Sequence, residues 1–124
     1  MLERALLTIP ALAVPLLLST CGDGLDVARA ATCRRALPAL APPGAAVTVL
    51  RVGRSSGPAV IRVDYRVEGR PDAKARWIAC SFGIGAEITG IASESGPVGG
   101  ASLYLLKRYY LDTPDAAQAD PTEK

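Results

Sequence analysis

Ala59-Val60-Ile61-Arg62-Val63-Asp64-Tyr65-Arg66-Val67-Glu68 alternates strictly, with Ile61, Val63, Tyr65 and Val67 at one parity and Arg62, Asp64 and Arg66 at the other. Successive side chains of a strand point to opposite faces, so the pattern predicts a strand with one packed and one wet face. A sheet covered on one side only is normally antiparallel. Turn sequences flank this strand: Arg54 to Pro58 (RSSGP) before it and Gly69 to Lys74 (GRPDAK) after it. Beyond the first turn lies Ala46 to Val52, rich in β-branched residues. Beyond the second lie Ala75 to Phe82 and, after Gly83 to Gly85, Ala86 to Glu94. Short turns between four successive strands imply an antiparallel meander.

The packed face needs a cover, and the two ends of the chain supply it. Asp23 or Asp26 can cap a helix running through about Leu37, with Ala30, Cys33 and Leu37 on one side and Arg34 and Arg35 turned away. Pro38 and the Pro42-Pro43-Gly44 cluster are expected to end it. Gly99 and Gly100 open a second helix to about Leu111. Its expected apolar arc is Leu103, Leu105, Leu106, Tyr109 and Tyr110, opposite Tyr104, Lys107 and Arg108. The fold class is therefore α+β: an N-terminal helix, a four-stranded antiparallel meander and a C-terminal helix packed on one sheet face. The domain spans 26–111. Residues 112–124 hold two prolines and no apolar side chain larger than alanine, and are expected to be disordered.

Composition removes several chemistries. With no histidine in the 124 residues, Ser/His and Cys/His catalysis and most zinc-hydrolase designs are absent. The formal charge of +2 is spread along the chain and does not point to nucleic acid. No cysteine pair has C-x-x-C spacing, which leaves thioredoxin-type redox chemistry and zinc ribbons unsupported. In the third strand Ile78, Cys80 and Phe82 share a face, and if that face is the core Cys80 points toward the helix that carries Cys33. A Cys33–Cys80 disulfide is predicted, closing a loop that stabilises a domain of this size by about 3 to 4 kcal/mol.

Met1 to Cys21 has the layout of a secretory signal: Arg4, an apolar run from Ala5 to Leu18, then Ser19 and Thr20 before Cys21. Pro10 and Pro15 interrupt that run, which falls short of the roughly 20 residues of a membrane-spanning helix. Leu18-Ser19-Thr20-Cys21 resembles the end of a bacterial lipoprotein signal, with Thr20 where such signals favour Gly, Ala or Ser. The resemblance implies that Cys21 becomes the lipidated first residue, behind a signal peptide of residues 1–20 and a short linker of residues 21–25. The alternatives are a cut at Ala28-Arg29-Ala30 and an uncleaved anchor. A cut after Ala30 would take away nearly half of the first helix, which favours the earlier site. Cys33 and Cys80 are left to pair in an oxidising compartment in either case.

Gly53-Arg54-Ser55-Ser56-Gly57 matches the G-x-S-x-G nucleophile elbow, but a strand follows it and there is no histidine, so it reads as a hairpin turn. Ser95 to Gly100 (SGPVGG) lacks a P-loop lysine and reads as a flexible connection. Asp64, Glu87 and Glu94 are not placed by sequence for acid/base work. Arg62 and Arg66, with Arg51 and Arg76 as possible neighbours, form a basic strand face suited to an anionic partner, and Lys107 and Arg108 with Tyr104 form a second surface suited to headgroups. The expectation is a small exported, non-enzymatic binding or scaffolding module of the bacterial cell envelope. It would be periplasmic or tethered to the membrane on the periplasmic side by N-terminal lipid or an uncleaved anchor. Its partner would be an envelope protein or an anionic ligand, with no metal, cofactor, catalytic residue or nucleic acid. Its rivals are an accessory subunit of an inner-membrane transporter or assembly, and an enzyme or enzyme inhibitor acting on an envelope polymer, which would need Asp64 and Glu87 to converge in a pocket.

Overall fold

A computed structural model describes residues 21–69 and 74–121. The expected signal segment, the Cys21 side chain and most of the turn after the second strand lie outside the described residues. The fold is α+β, with α1 (Cys21–Leu40) followed by β1 (Val47–Arg54), β2 (Val60–Val67), β3 (Arg76–Phe82), β4 (Ile88–Ser93) and β5 (Gly96–Pro97). Next come α2 (Gly100–Leu106), which continues as a π-helical turn over Lys107–Leu111, and α3 (Pro114–Gln118). The strands form one antiparallel sheet in the order β1-β2-β3-β4-β5. The meander expected from the turn spacing is thus present, extended by a fifth strand. That addition arises because Ser95 and Gly96, with Gly96 at φ 112°, turn the chain back and pair Pro97 with Ala92.

Every inward residue of β2 is buried: Ile61, Val63, Tyr65 and Val67. Ile78, Cys80 and Phe82 of β3 join them, as do Ile88 and Ile91 of β4. Helix α1 lies across β1, β2 and β3 while α2 rests on β4, so both helices cover the same face. Cys33 and Cys80 meet at disulfide distance, with Cα atoms 5.9 Å apart and both side chains fully buried. One turn earlier on the same stripe of α1, Arg29 is buried against the Phe82 ring, 5.5 Å from its centroid. Its Nε donates to the Gly85 carbonyl at 2.8 Å and its Nη2 to the Gly83 carbonyl at 3.2 Å.

Four expectations are corrected. First, the helix starts at Cys21 and takes in the supposed linker, so Asp26 does not cap it and instead pairs with Arg54 of β1. Second, the helix runs through Pro38. The missing N–H costs the bond to the Arg34 carbonyl, but continuation packs Leu40 on the core, and Ala41 N–H still reaches the Leu37 carbonyl at 2.9 Å. Third, Leu105 and Tyr109 are 54% and 71% exposed, because the C-terminal helix buries the narrower stripe Leu103, Leu106, Tyr110 and Leu111. The π-helical turn, in which Asp112 N–H bonds the Lys107 carbonyl, brings the adjacent Tyr110 and Leu111 both to the core. Fourth, the tail is ordered through α3. Pro114 sits in its first turn, Ala116 is only 1% exposed, and Asp120 accepts hydrogen bonds from Arg34 and Arg35. Those two arginines are turned away from the sheet as expected, but toward the tail.

The disulfide joins the centre of α1 to the centre of the sheet across a sequence separation of 47 residues. Replacing both cysteines by alanine should lower unfolding stability by about 3 to 4 kcal/mol in denaturant titrations without reductant, and adding reductant to the unaltered protein should produce a similar loss. Equal stability in all three samples would mean that the bond does not form.

Candidate binding face

The helices leave the other face of the sheet open. Antiparallel register determines what stands on it: Arg62 faces Gly53 on one side and Ala79 on the other, while Asp64 faces Arg51 and Trp77. Arg66 is opposite Thr48. Further across, Ala79 pairs with Ala92 and Ser81 with Gly90. The open face is therefore a row of arginines beside one aromatic ring, next to a floor of small residues.

A β-bulge produces part of this row. Strict alternation from Val47 and Val49 would send Arg51 to the packed face. The register shift between Val49 and Arg51 inserts Leu50 as an extra residue, so Arg51 faces Asp64 on the open side and Val52 returns to the core side opposite Val63. Arg76 goes the other way. It pairs with Tyr65 and stands on that residue's packed side of the sheet, near enough to its phenol to act on it electrostatically. Burial raises the Tyr65 pKa, Glu94 adds to the rise, and Arg76 opposes it. The basic row thus extends from Arg62 and Arg66 to Arg51 and excludes Arg76.

Arg62 donates to Asp64 Oδ1 from Nε at 3.1 Å and from Nη2 at 3.0 Å, and its guanidinium carbon lies 5.0 Å from the Trp77 ring centroid. The aromatic face and the carboxylate together hold this long side chain flat on the sheet. Arg51 and Arg66 are exposed and have no ion-pair partner among the described residues. Arg51, Gly53, Arg54, Arg62 and Asp64 line a polar depression of about 230 Å³, whose floor is open because Gly53 carries no side chain. Planar guanidinium groups recognise carboxylate, sulfate or phosphate by paired hydrogen bonds. A shallow row suits an extended anionic chain better than an enclosed small molecule.

The second sequence-predicted surface is divided. Lys107 Nζ is paired with Glu87 Oε1 at 3.2 Å, whereas Arg108 is exposed beside Tyr104 in a hollow of about 430 Å³ that also includes Ile88 and Thr89. Asp64 and Glu87 are not brought together: one belongs to the open sheet face, the other to the β3–β4 turn on the helix side. Ser55 to Gly57 form a hairpin turn, as read, with Ser55 N–H bonded to the Val60 carbonyl at 3.0 Å. Among the described residues no group of three or more acidic, cysteine or histidine side chains is placed to hold a metal ion. Trp77 was not singled out from sequence. Its parity, opposite to Ile78, Cys80 and Phe82, was the available signal. No family model, curated protein or solved structure matches the chain.

Asp64 contributes the negative charge of the row and occupies Arg62. Asp64→Asn should therefore strengthen binding of a polyanion such as polyglutamate by about two- to threefold, the effect of one exposed ion pair, with the gain shrinking as salt is raised. Titration of intrinsic fluorescence can follow this, since Trp77 is the single tryptophan of the chain.

Proposed function

We propose that the protein is a small exported, lipid-tethered and non-enzymatic binding module of the bacterial cell envelope, which presents its open sheet face to an acidic partner on the periplasmic side. The observation that carries this reading is the row Arg51, Arg62 and Arg66, in which two arginines lack described partners and the third is laid against Trp77. The Arg62 side chain, held against Trp77 and Asp64, loses less freedom on binding than a mobile surface cation would. Complementary charge of this kind sets orientation and encounter rate as much as affinity.

The tether rests on the lipoprotein-like ending at Cys21 and gains support from the contacts of α1. A cut after Ala30 would remove Asp26 with its Arg54 pair and Arg29 with its hold on the β3–β4 turn. A cut before Cys21 leaves both in place. Among the described residues no helix is long and apolar enough to cross a membrane.

Mass spectrometry of the mature protein from membranes should find a diacylglycerol-modified N-terminus at Cys21; a chain starting at Ala31 would remove the tether from this reading. For the binding face, Arg51→Ala/Arg62→Ala/Arg66→Ala should weaken polyglutamate binding about tenfold at low salt, given three exposed ion pairs of ordinary strength. Lys107→Ala/Arg108→Ala should leave it unchanged. An unaltered affinity in the triple variant, or an equal loss in the helix variant, would refute the assignment of the sheet face.

A further inference from the structure

One end of the domain carries an exposed apolar side chain at its tip. There β3 ends and β4 begins, and Ile84, at the tip of the turn between them, is 93% exposed. The turn is firmly held. Arg29 bonds the carbonyls of Gly83 and Gly85 on either side of Ile84, and Gly83 N–H bonds the Glu87 carbonyl at 3.0 Å. A buried cation and a closed turn thus support an isoleucine that adds nothing to the core. On the first turns of α1, Val27 is 68% exposed and Leu25 is exposed as well. On the other flank Tyr104 and Arg108 border the start of β4.

The proposed point of lipid attachment lies beyond this same end, since α1 starts at Cys21. Eight residues, about 12 Å of helix, separate Cys21 from Arg29 and the turn it holds. We propose that this end is a bilayer contact: Ile84 enters the interfacial layer, and Tyr104 and Arg108 lie at headgroup depth. An apolar tip flanked by a tyrosine and an arginine has the composition of an interfacial contact, in which the long cationic side chain reaches back to phosphate. The inference rests on the tether reading and adds an orientation to it. With the β3–β4 end down, the strands stand away from the membrane and the open face is turned sideways, accessible along its length.

The test uses the mature lipidated protein, purified from membranes and reconstituted in phosphatidylcholine/phosphatidylglycerol vesicles. In a Trp77→Phe background, a reporter tryptophan is placed by Ile84→Trp or, at the exposed turn on the opposite end, by Ser95→Trp. Flotation with the vesicles reports the tether, and quenching by brominated lipid reports the orientation. Ile84→Trp should show blue-shifted emission quenched several-fold more than that of Ser95→Trp. Flotation with equal quenching at both positions would overturn the bilayer contact and leave the tether standing, whereas failure to float would overturn both. A blue shift of Ile84→Trp that grows with protein concentration in the absence of vesicles would assign this end to a second copy of the chain and also overturn the proposal.

Discussion

A five-stranded sheet has two faces, and the helices of this chain cover one. The point from which that coverage is laid out is the Cys33–Cys80 bond, because it sets both the position and the rotation of α1 on the sheet. Arg29, Cys33 and Leu37 follow one another at four-residue spacing and therefore form a single stripe. With Cys33 fixed over the middle of β3, Arg29 falls over the β3–β4 turn and Leu37 into the core. Arg34 and Arg35 are then directed away from the sheet, where Asp120 takes up both charges. The order of the tail thus follows from the phase of the first helix.

Much of this layout was legible in the sequence, and the exceptions share a cause. The alternation in β2 identified the packed face, the wet face and Arg62 and Arg66 as a pair on it. The apolar positions of β3 and of α1 then placed Cys33 opposite Cys80. Periodicity failed wherever the backbone changed its own period. The bulge at Leu50 moved Arg51 to the open face, and the π-helical turn altered which of the last helical residues face inward. Neither device has a composition signal in this chain, since no glycine or proline stands at either place. Composition failed for the tail, because order there depends on one small side chain, Ala116, fitting against the domain and on Asp120 meeting two arginines. Both are tertiary facts.

The two halves of the functional reading have different origins. The arginine row follows from strand parity and register, whereas the proposed tether is read from the sequence before Cys21 and bears on the fold only through α1. Arg29 connects the two. A sequence reading finds it inside a possible cleavage motif, but in the fold it is a buried cation that satisfies two turn carbonyls and stacks on Phe82. Removing it would leave those carbonyls without their donor and the turn without its support. A domain built on that contact has a structural reason to keep the chain intact upstream of residue 29.

The sheet edges decide how a partner can approach. Strand addition needs a long, flat, unpaired edge. At one edge β1 is kinked by its bulge and carries Arg51 and Arg54; at the other β5 is two residues long and includes Pro97, which has no N–H to donate. Both edges therefore discourage backbone pairing with another chain. The open face has the opposite character: Ala79, Ser81, Gly90 and Ala92 keep it low, and the arginines line one side of it. Such a surface is reached without displacing any strand, and what it offers is guanidinium groups rather than exposed backbone.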